Sequence, residues 1–193
     1  MNDYPEFAIV KNKRYKINTD FRYAIECNRI AEDETIGDFE RVLAIIYTLF
    51  GEEGLNAKDD YEELLKLAKK YLCCGKEVDI DSTEQADMDF IEDYAYIKTS
   101  FRSDYGMNID KEKMHWWEFY ELMNGLSNSE LGNCCVLNRV RNLRNYDTKD
   151  IKDSKERAKV EKAKKQVELT KYKKKPTKEQ MESAEEFIKA LGL

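Results

Sequence analysis

Apolar positions recur along this chain at helical spacing in block after block, and only the first block breaks the rule. Phe7-Ala8-Ile9-Val10, the polar turn Lys11-Asn12-Lys13-Arg14 and Tyr15-Lys16-Ile17 predict a short hairpin, the one place where a sheet is expected. After Thr19-Asp20, the residues Phe21, Ala24, Ile25 and Asn28 fall on one helix face. Ile36, Phe39, Val42, Leu43, Ile46, Tyr47 and Phe50 then make a stronger stripe ending at Gly51. These spacings predict two helices packed through that stripe. Gly51-Glu52-Glu53-Gly54 interrupts it, and Tyr61, Leu64, Leu65, Ala68, Tyr71 and Leu72 predict a third helix that stops near Gly75.

A polar loop follows from Lys76 to Asp81. Ser82 with Gln85 has the spacing of a capping box, in which the hydroxyl accepts an orphan amide and the longer side chain reaches back. From there Met88, Ile91, Tyr94, Ala95, Phe101 and Tyr105 predict a helix reaching about Gly106. Asp110 is expected to cap the next helix, with Glu112 in its first turn. On that helix Trp116, Phe119, Tyr120, Leu122, Met123 and Leu126 share one broad face, opposite Glu118, Glu121, Asn124 and Gly125. Trp117 is left towards the polar side, either at the edge of the core, the better supported position, or in contact with another element or partner.

Asn124-Gly125 is expected to stop the helix in a left-handed turn, and Ser127 with Glu130 repeats the capping box. The helix it opens has Leu131, Cys134 and Cys135 on one side, Val136, Val140 and Leu143 on another, and Arg139, Arg141 and Arg144 outward. Beyond Asn145-Tyr146-Asp147 the texture turns to Lys and Glu, with a thin stripe of Val160, Ala163 and Val167. Pro176-Thr177 restarts the chain, Thr177 pairs with Gln180 as a third capping box, and Met181, Ala184, Phe187, Ile188 and Leu191 form an amphipathic helix. That helix docks either on its own body or in the groove of another protein.

The fold class expected is therefore mainly α: a compact multi-helix domain over residues 1–147 with an N-terminal hairpin, and a charged helical extension over 148–193. Composition agrees, with 41% hydrophobic and 37% charged residues, eight glycines and two prolines. Residues 148–193 carry 14 lysines and arginines against 9 acids, about +5. Residues 1–147 carry 19 against 30, about −11, so a basic tail follows an acidic body. The opening Met-Asn-Asp-Tyr-Pro-Glu lacks the features of a signal peptide, and no run approaches the roughly 20 apolar residues of a membrane span. The expectation is a protein that stays in the cytoplasm with Cys27, Cys73-Cys74 and Cys134-Cys135 as free thiols.

Candidate chemistry is sparse. His115 is the sole histidine, and its place beside Phe119 and Leu122 suits a hydrogen-bonded core or helix-start residue better than a general base. Asp79, Asp81, Asp87 and Asp89 lack the glycine and distal glutamate of a calcium loop, and adjacent cysteines lack the gap that lets two thiolates reach one zinc. No glycine-rich phosphate loop is present, so neither metal nor cofactor is expected. Lys171-Tyr172-Lys173-Lys174-Lys175 would give non-specific, salt-sensitive affinity for nucleic acid, but interleaved glutamates and the acidic body favour a solvated helix.

The segment Tyr94 to Arg141 adds what spacing does not. Ser100-Phe101, Asp104-Tyr105-Gly106-Met107-Asn108-Ile109-Asp110, Lys113-Met114-His115-Trp116-Trp117-Glu118-Phe119, Leu122, Gly125-Leu126 and Arg139 resemble the signature of a protein family of tailed phages and prophages of Gram-positive bacteria. The resemblance covers roughly residues 5–145, with the His-Trp-Trp block its most specific part. In such genomes the family lies just before the tape-measure gene, the place of the tail assembly chaperone. The resemblance thus implies a non-enzymatic role: holding the tape-measure protein soluble and helping tail-tube subunits polymerise, in the host cytoplasm, with departure before the virion is complete. It makes Phe101, Tyr105, Gly106, His115, Trp116, Phe119, Leu122, Gly125, Leu126 and Arg139 a structural motif. Trp117 and Tyr120 are then expected near the client-contact edge, and Met181, Phe187, Ile188 and Leu191 against a second partner or another copy of the chain. A structural tail component retained in the virion is the main rival, and a nucleic-acid-binding protein using the basic tail a weaker one.

Overall fold

The computed structural model describes residues 4–76, 86–128 and 134–172. Strands β1 (Phe7–Val10) and β2 (Lys13–Lys16) pair antiparallel, with Ala8 opposite Tyr15 and Val10 opposite Lys13. The turn is shorter than expected, only Lys11 and Asn12, both at positive φ (47° and 67°). That backbone twist matches the strands it joins, so Lys13 and Arg14 are free to enter the ladder. Alternation then buries Ala8, Val10 and Tyr15 and leaves Phe7 and Ile9 outside. The Tyr15 hydroxyl donates to Asp60 at 2.7 Å, and the Lys11 ammonium sits 2.8 Å from the same carboxylate.

Helix α1 (Phe21–Glu32) starts at Asp20, whose carboxylate accepts the Arg22 amide. Its buried face, Phe21, Ala24, Ile25, Cys27 and Ile30, lies against α2 (Asp38–Leu55). Gly51, at φ 63° and ψ −157°, kinks α2, a conformation that side chains resist. At that kink Asn18 satisfies two carbonyls, its amide N–H donating to Leu49 and its side chain to Thr48, both at 2.8 Å. Ile45, Ile46, Leu49 and Phe50 face the core, as does the α3 (Tyr61–Leu72) face of Leu64, Ala68 and Tyr71. Phe39 and Tyr47, expected in the α2 stripe, instead stand 64% and 52% exposed. The stripe is broader than the surface that α1, α3 and the hairpin can cover.

Helix α4 spans Tyr94–Tyr105, so Met88 and Ile91 precede it rather than lying on it. Asp89 and Asp93 hold that approach as turns: Asp89 accepts the amides of Ile91 and Glu92, and Asp93 accepts the amide of Asp89. The Ser82–Gln85 capping box lies outside the described residues. Gly106, left-handed at φ 69°, closes α4. Helix α5 (Trp116–Asn124) crosses α1, and α6 (Val136–Asn145) and α7 (Ser154–Val167) complete seven helices among the described residues. The fold is mainly α with a two-stranded hairpin, as expected.

The chain divides into two compact units, Met1–Asn142 and Leu143–Leu193. In the second, Asp153 caps α7, Arg144 donates to the Val167 carbonyl and Arg157 to that of Ile151, both at 2.6 Å. No residue of α7 is buried, and Val160, Ala163 and Val167 reach only half-burial. Residues 177–193, with the expected contacts Met181, Phe187, Ile188 and Leu191, lie outside the described residues. Among those described, no helix is long and apolar enough to cross a membrane.

Candidate functional site

The motif segment is organised by a short bridge rather than by Asp110. Asp20 and His115 pair in antiparallel fashion: the Phe21 amide donates to the Met114 carbonyl at 3.0 Å and the Trp116 amide to that of Thr19 at 2.8 Å. His115 is thereby extended (φ −62°, ψ 142°), and no helix can run through it. Asp110 therefore does not cap α5. Its carboxylate takes the Lys98 ammonium at 2.5 Å and the Tyr94 hydroxyl at 3.1 Å. Arg22 secures the same stretch, donating to the carbonyls of Ile109 and Glu112.

The cap is His115 itself. Its Nδ1 accepts the Trp117 amide at 3.0 Å, so the ring proton sits on Nε2, which donates to the Pro5 carbonyl at 3.1 Å. Tyr4 stacks on the imidazole at 4.8 Å and donates its hydroxyl to Glu121 at 2.6 Å. Burial pushes the His115 pKa below its ordinary 6.5, while the Pro5 carbonyl and nearby Glu118, Glu6 and Glu121 pull the other way. The neutral ring is the one that caps, since protonated Nδ1 would face the Trp117 N–H with a second donor.

The two tryptophans meet the end of α3. Trp116 Nε1 donates to the Leu72 carbonyl at 3.0 Å and Trp117 Nε1 to the Tyr71 carbonyl at 2.9 Å. Carbonyls of a last helical turn lack partners within their own helix, so the adjacent indoles act as a two-pronged C-terminal cap. Trp116 is buried and Trp117 half-buried. A Cβ at Gly75, which has φ +75°, would lie 3.2 Å from the Trp117 ring. Trp117 is thus a packed edge of the core, with its polar atom engaged. Tyr120 is also half-buried, 5.7 Å from the Trp116 ring, with the Lys76 ammonium over its own face at 5.4 Å.

Behind them Phe119 is the hub, stacked on Phe21 at 4.3 Å, Phe101 at 5.1 Å and Trp116 at 5.8 Å. Leu126 is buried beside this stack and Leu122 half-buried. Gly125 is right-handed (φ −82°), not left-handed as the Asn124-Gly125 pair suggested. A Cβ there would lie 2.8 Å from the Tyr105 hydroxyl oxygen, which donates to the Leu122 carbonyl, so an added methyl would have to displace that hydroxyl.

Ser127 does not start α6. Its amide donates to Asp104 and its carbonyl accepts from Cys135; Glu130 and Leu131 lie outside the described residues. The start of α6 is capped by the Cys135 thiol, which accepts the Asn138 amide at 3.4 Å, and from α4 by buried Ser100, which accepts the Leu137 amide at 3.1 Å. Buried Asn138 donates to the carbonyls of Leu126 and Ser127, both at 3.2 Å. Arg22, Leu137 and Asn138 escaped the sequence reading, and Ser100 entered it only through the family resemblance, because their roles depend on segments distant in the chain. Arg139 is exposed at a groove of about 650 Å³ that also meets Ser103, Tyr105, Gly125 and Cys134. Arg141 pairs with Asp87 at 3.1 Å.

Chemically the constellation is occupied. Both His115 nitrogens are bonded, and burial pushes the Cys27 thiol up to about 12 and the Cys74 thiol to about 11. Among the described residues no three His, Cys, Asp or Glu side chains gather as metal ligands. The comparisons then identify the chain: the family model described as bacteriophage Gp15 protein matches residues 2–169. No curated protein and no solved structure matches it.

Proposed function

The chain belongs to the bacteriophage Gp15 protein family, and on that footing we propose that it is a non-enzymatic tail assembly chaperone. It binds the tape-measure protein, keeps it soluble and aids assembly of the tail tube around it. The observation that carries this reading is apolar surface left open on an acidic body: Ile9, Tyr23, Phe39, Tyr47 and Ile91 are each 45–64% exposed. A holding protein needs such surface for its client and like charge to keep the complex dispersed. The occupied state of His115 and the protonated thiols support a role without bond chemistry.

In this reading the protein works in the host bacterial cytoplasm, where its client is made, and leaves before the virion matures. Residues 177–193 serve a second contact, with tail-tube protein or another copy of the chain. Co-expression tests it directly: the tape-measure protein should move from the insoluble to the soluble fraction and co-purify with this chain. An unchanged insoluble fraction ends the proposal. Mass spectrometry of purified virions should lack the chain; its presence in stoichiometric amount replaces the chaperone with a retained tail component.

A further inference from the structure

The middle of helix α2 is uncharged on every side, yet among the described residues only one side of it is covered. Val42-Leu43-Ala44-Ile45-Ile46-Tyr47-Thr48-Leu49-Phe50 runs for nine residues without a charge, in a chain that is 37% charged. A helix of that composition ordinarily lies inside a core. Ile45, Ile46, Leu49 and Phe50 do so, but Tyr47 is 52% exposed and Leu43 and Ala44 are only half-buried. Stepping 100° per residue places Leu43, Tyr47 and Ala44 on one outward strip, and exposed Phe39, a turn before Leu43, at its edge towards Ile46 and Phe50. From Phe39 to Tyr47 the strip rises about 12 Å at 1.5 Å per residue.

The charges at its ends say what covers it. Glu40 steps onto the strip at its N-terminal end and is exposed, while Asp38, on the opposite side of the helix, is paired with Arg41 at 2.6 Å, whose other contacts are the carbonyls of Asp33 and Ile36. Glu52 and Glu53 are exposed beyond the Gly51 kink, and Lys13 lies 3.5 Å from Glu53. An uncharged strip is thus closed by acids at both ends. A second copy of the same strip, in either direction, would set acid against acid. A helix with an apolar face and lysines or arginines at both ends meets the strip and the exposed Glu40 and Glu52 beyond its two ends.

We propose that the outward strip of α2 is a docking surface for a basic-flanked amphipathic helix of the partner protein. Resting on the chaperone reading above, that helix is a segment of the tape-measure protein. The client surface is then α2 and not the edge formed by Trp117 and Tyr120, whose groups are already engaged.

The test uses the full chain and fluorescent 18-residue peptides tiled through the tape-measure protein, read by anisotropy. The peptide bound best should carry Lys or Arg at both ends of an apolar face. Tyr47→Asp should weaken it tenfold or more, the order expected for removing a central aromatic contact, with unchanged thermal unfolding. Tyr47→Phe should bind as the parent does. Glu40→Lys with Glu52→Lys should weaken binding and reduce its dependence on salt. Parent-like binding by Tyr47→Asp overturns the docking surface while leaving the chaperone reading intact. So does a parent chain that binds no peptide yet keeps its client soluble on co-expression. A parent dimer that Tyr47→Asp converts to monomers assigns the strip to a second copy and overturns the inference. Failure of the parent chain to hold its client soluble removes both.

Discussion

Helices α5 and α2 both concentrate large apolar side chains, and they stand in opposite relations to the rest of the molecule. In α5, Trp116 and Phe119 lie within a stack of rings, both indole N–H groups reach carbonyls of α3, and His115 closes the first turn. In α2 the inner side chains are equally well buried, while Phe39 and Tyr47 face solvent with no charged residue between Arg41 and Gly51. The difference shows that aromatic density does not mark a free surface. What marks one is an uncharged helix side that no described residue of its own unit covers.

The strongest way to break the comparison is to empty the α5 hub. Phe119→Ala removes a fully buried ring stacked on three others and should cost about 3–5 kcal/mol in urea unfolding. A cost below about 1 kcal/mol would mean that α5 is not the centre of the core. Next comes Gly125→Ala, whose methyl would crowd the Tyr105 hydroxyl; it should cost about 1–3 kcal/mol. In a Tyr105→Phe background the same methyl should cost much less, a coupling that a double-mutant cycle reads directly.

A smaller effect is expected from pH. Because the folded His115 pKa lies below 6.5, the unfolded chain takes up the proton first as pH falls. The stabilisation is complete above about 6.5 and is lost as pH drops through that value and the folded pKa. The Tm should therefore fall between pH 7.5 and 5.5 in the parent chain. Its slope should be shallower in His115→Asn, which keeps an N-cap without the titration. Equal slopes would show that His115 is not the group responsible. The smallest change is expected on α2, where Tyr47→Ser should shift stability by no more than about 0.5 kcal/mol, since the ring is half in water. A loss comparable to that of Phe119→Ala would show that the outer strip is core after all.

Much of the fold is legible in the chain because helical spacing is a local property. The face of α1, the whole of α3, the buried side of α5 and the Gly106 stop of α4 all follow from residues within a few positions of one another. The misplaced boundaries have a common cause. Asp110, a sound local cap, is drawn to Lys98 and Tyr94, and the bridge from Asp20 to His115 holds the chain extended until Trp116. Ser127 lost its role in the same way, since Asp104 takes its amide while Ser100 and Cys135 cap α6. Of the candidate site, His115 as a helix-start residue and Trp117 as a core edge were within reach of pattern reasoning. The carbonyls they meet were not.

The amino-acid sequence by itself determines a mainly α chain with one hairpin, an acidic body, and a stretch of α2 too apolar to lie in water on every side. Those properties reside in single residues and their periodicity, and they hold wherever the helices go. Tertiary structure alone decided which side of α2 is covered and where α5 begins. It also decided that Gly125 faces the Tyr105 hydroxyl at close range rather than making a left-handed turn. Each of those outcomes depends on a partner tens of residues away, brought near only by packing.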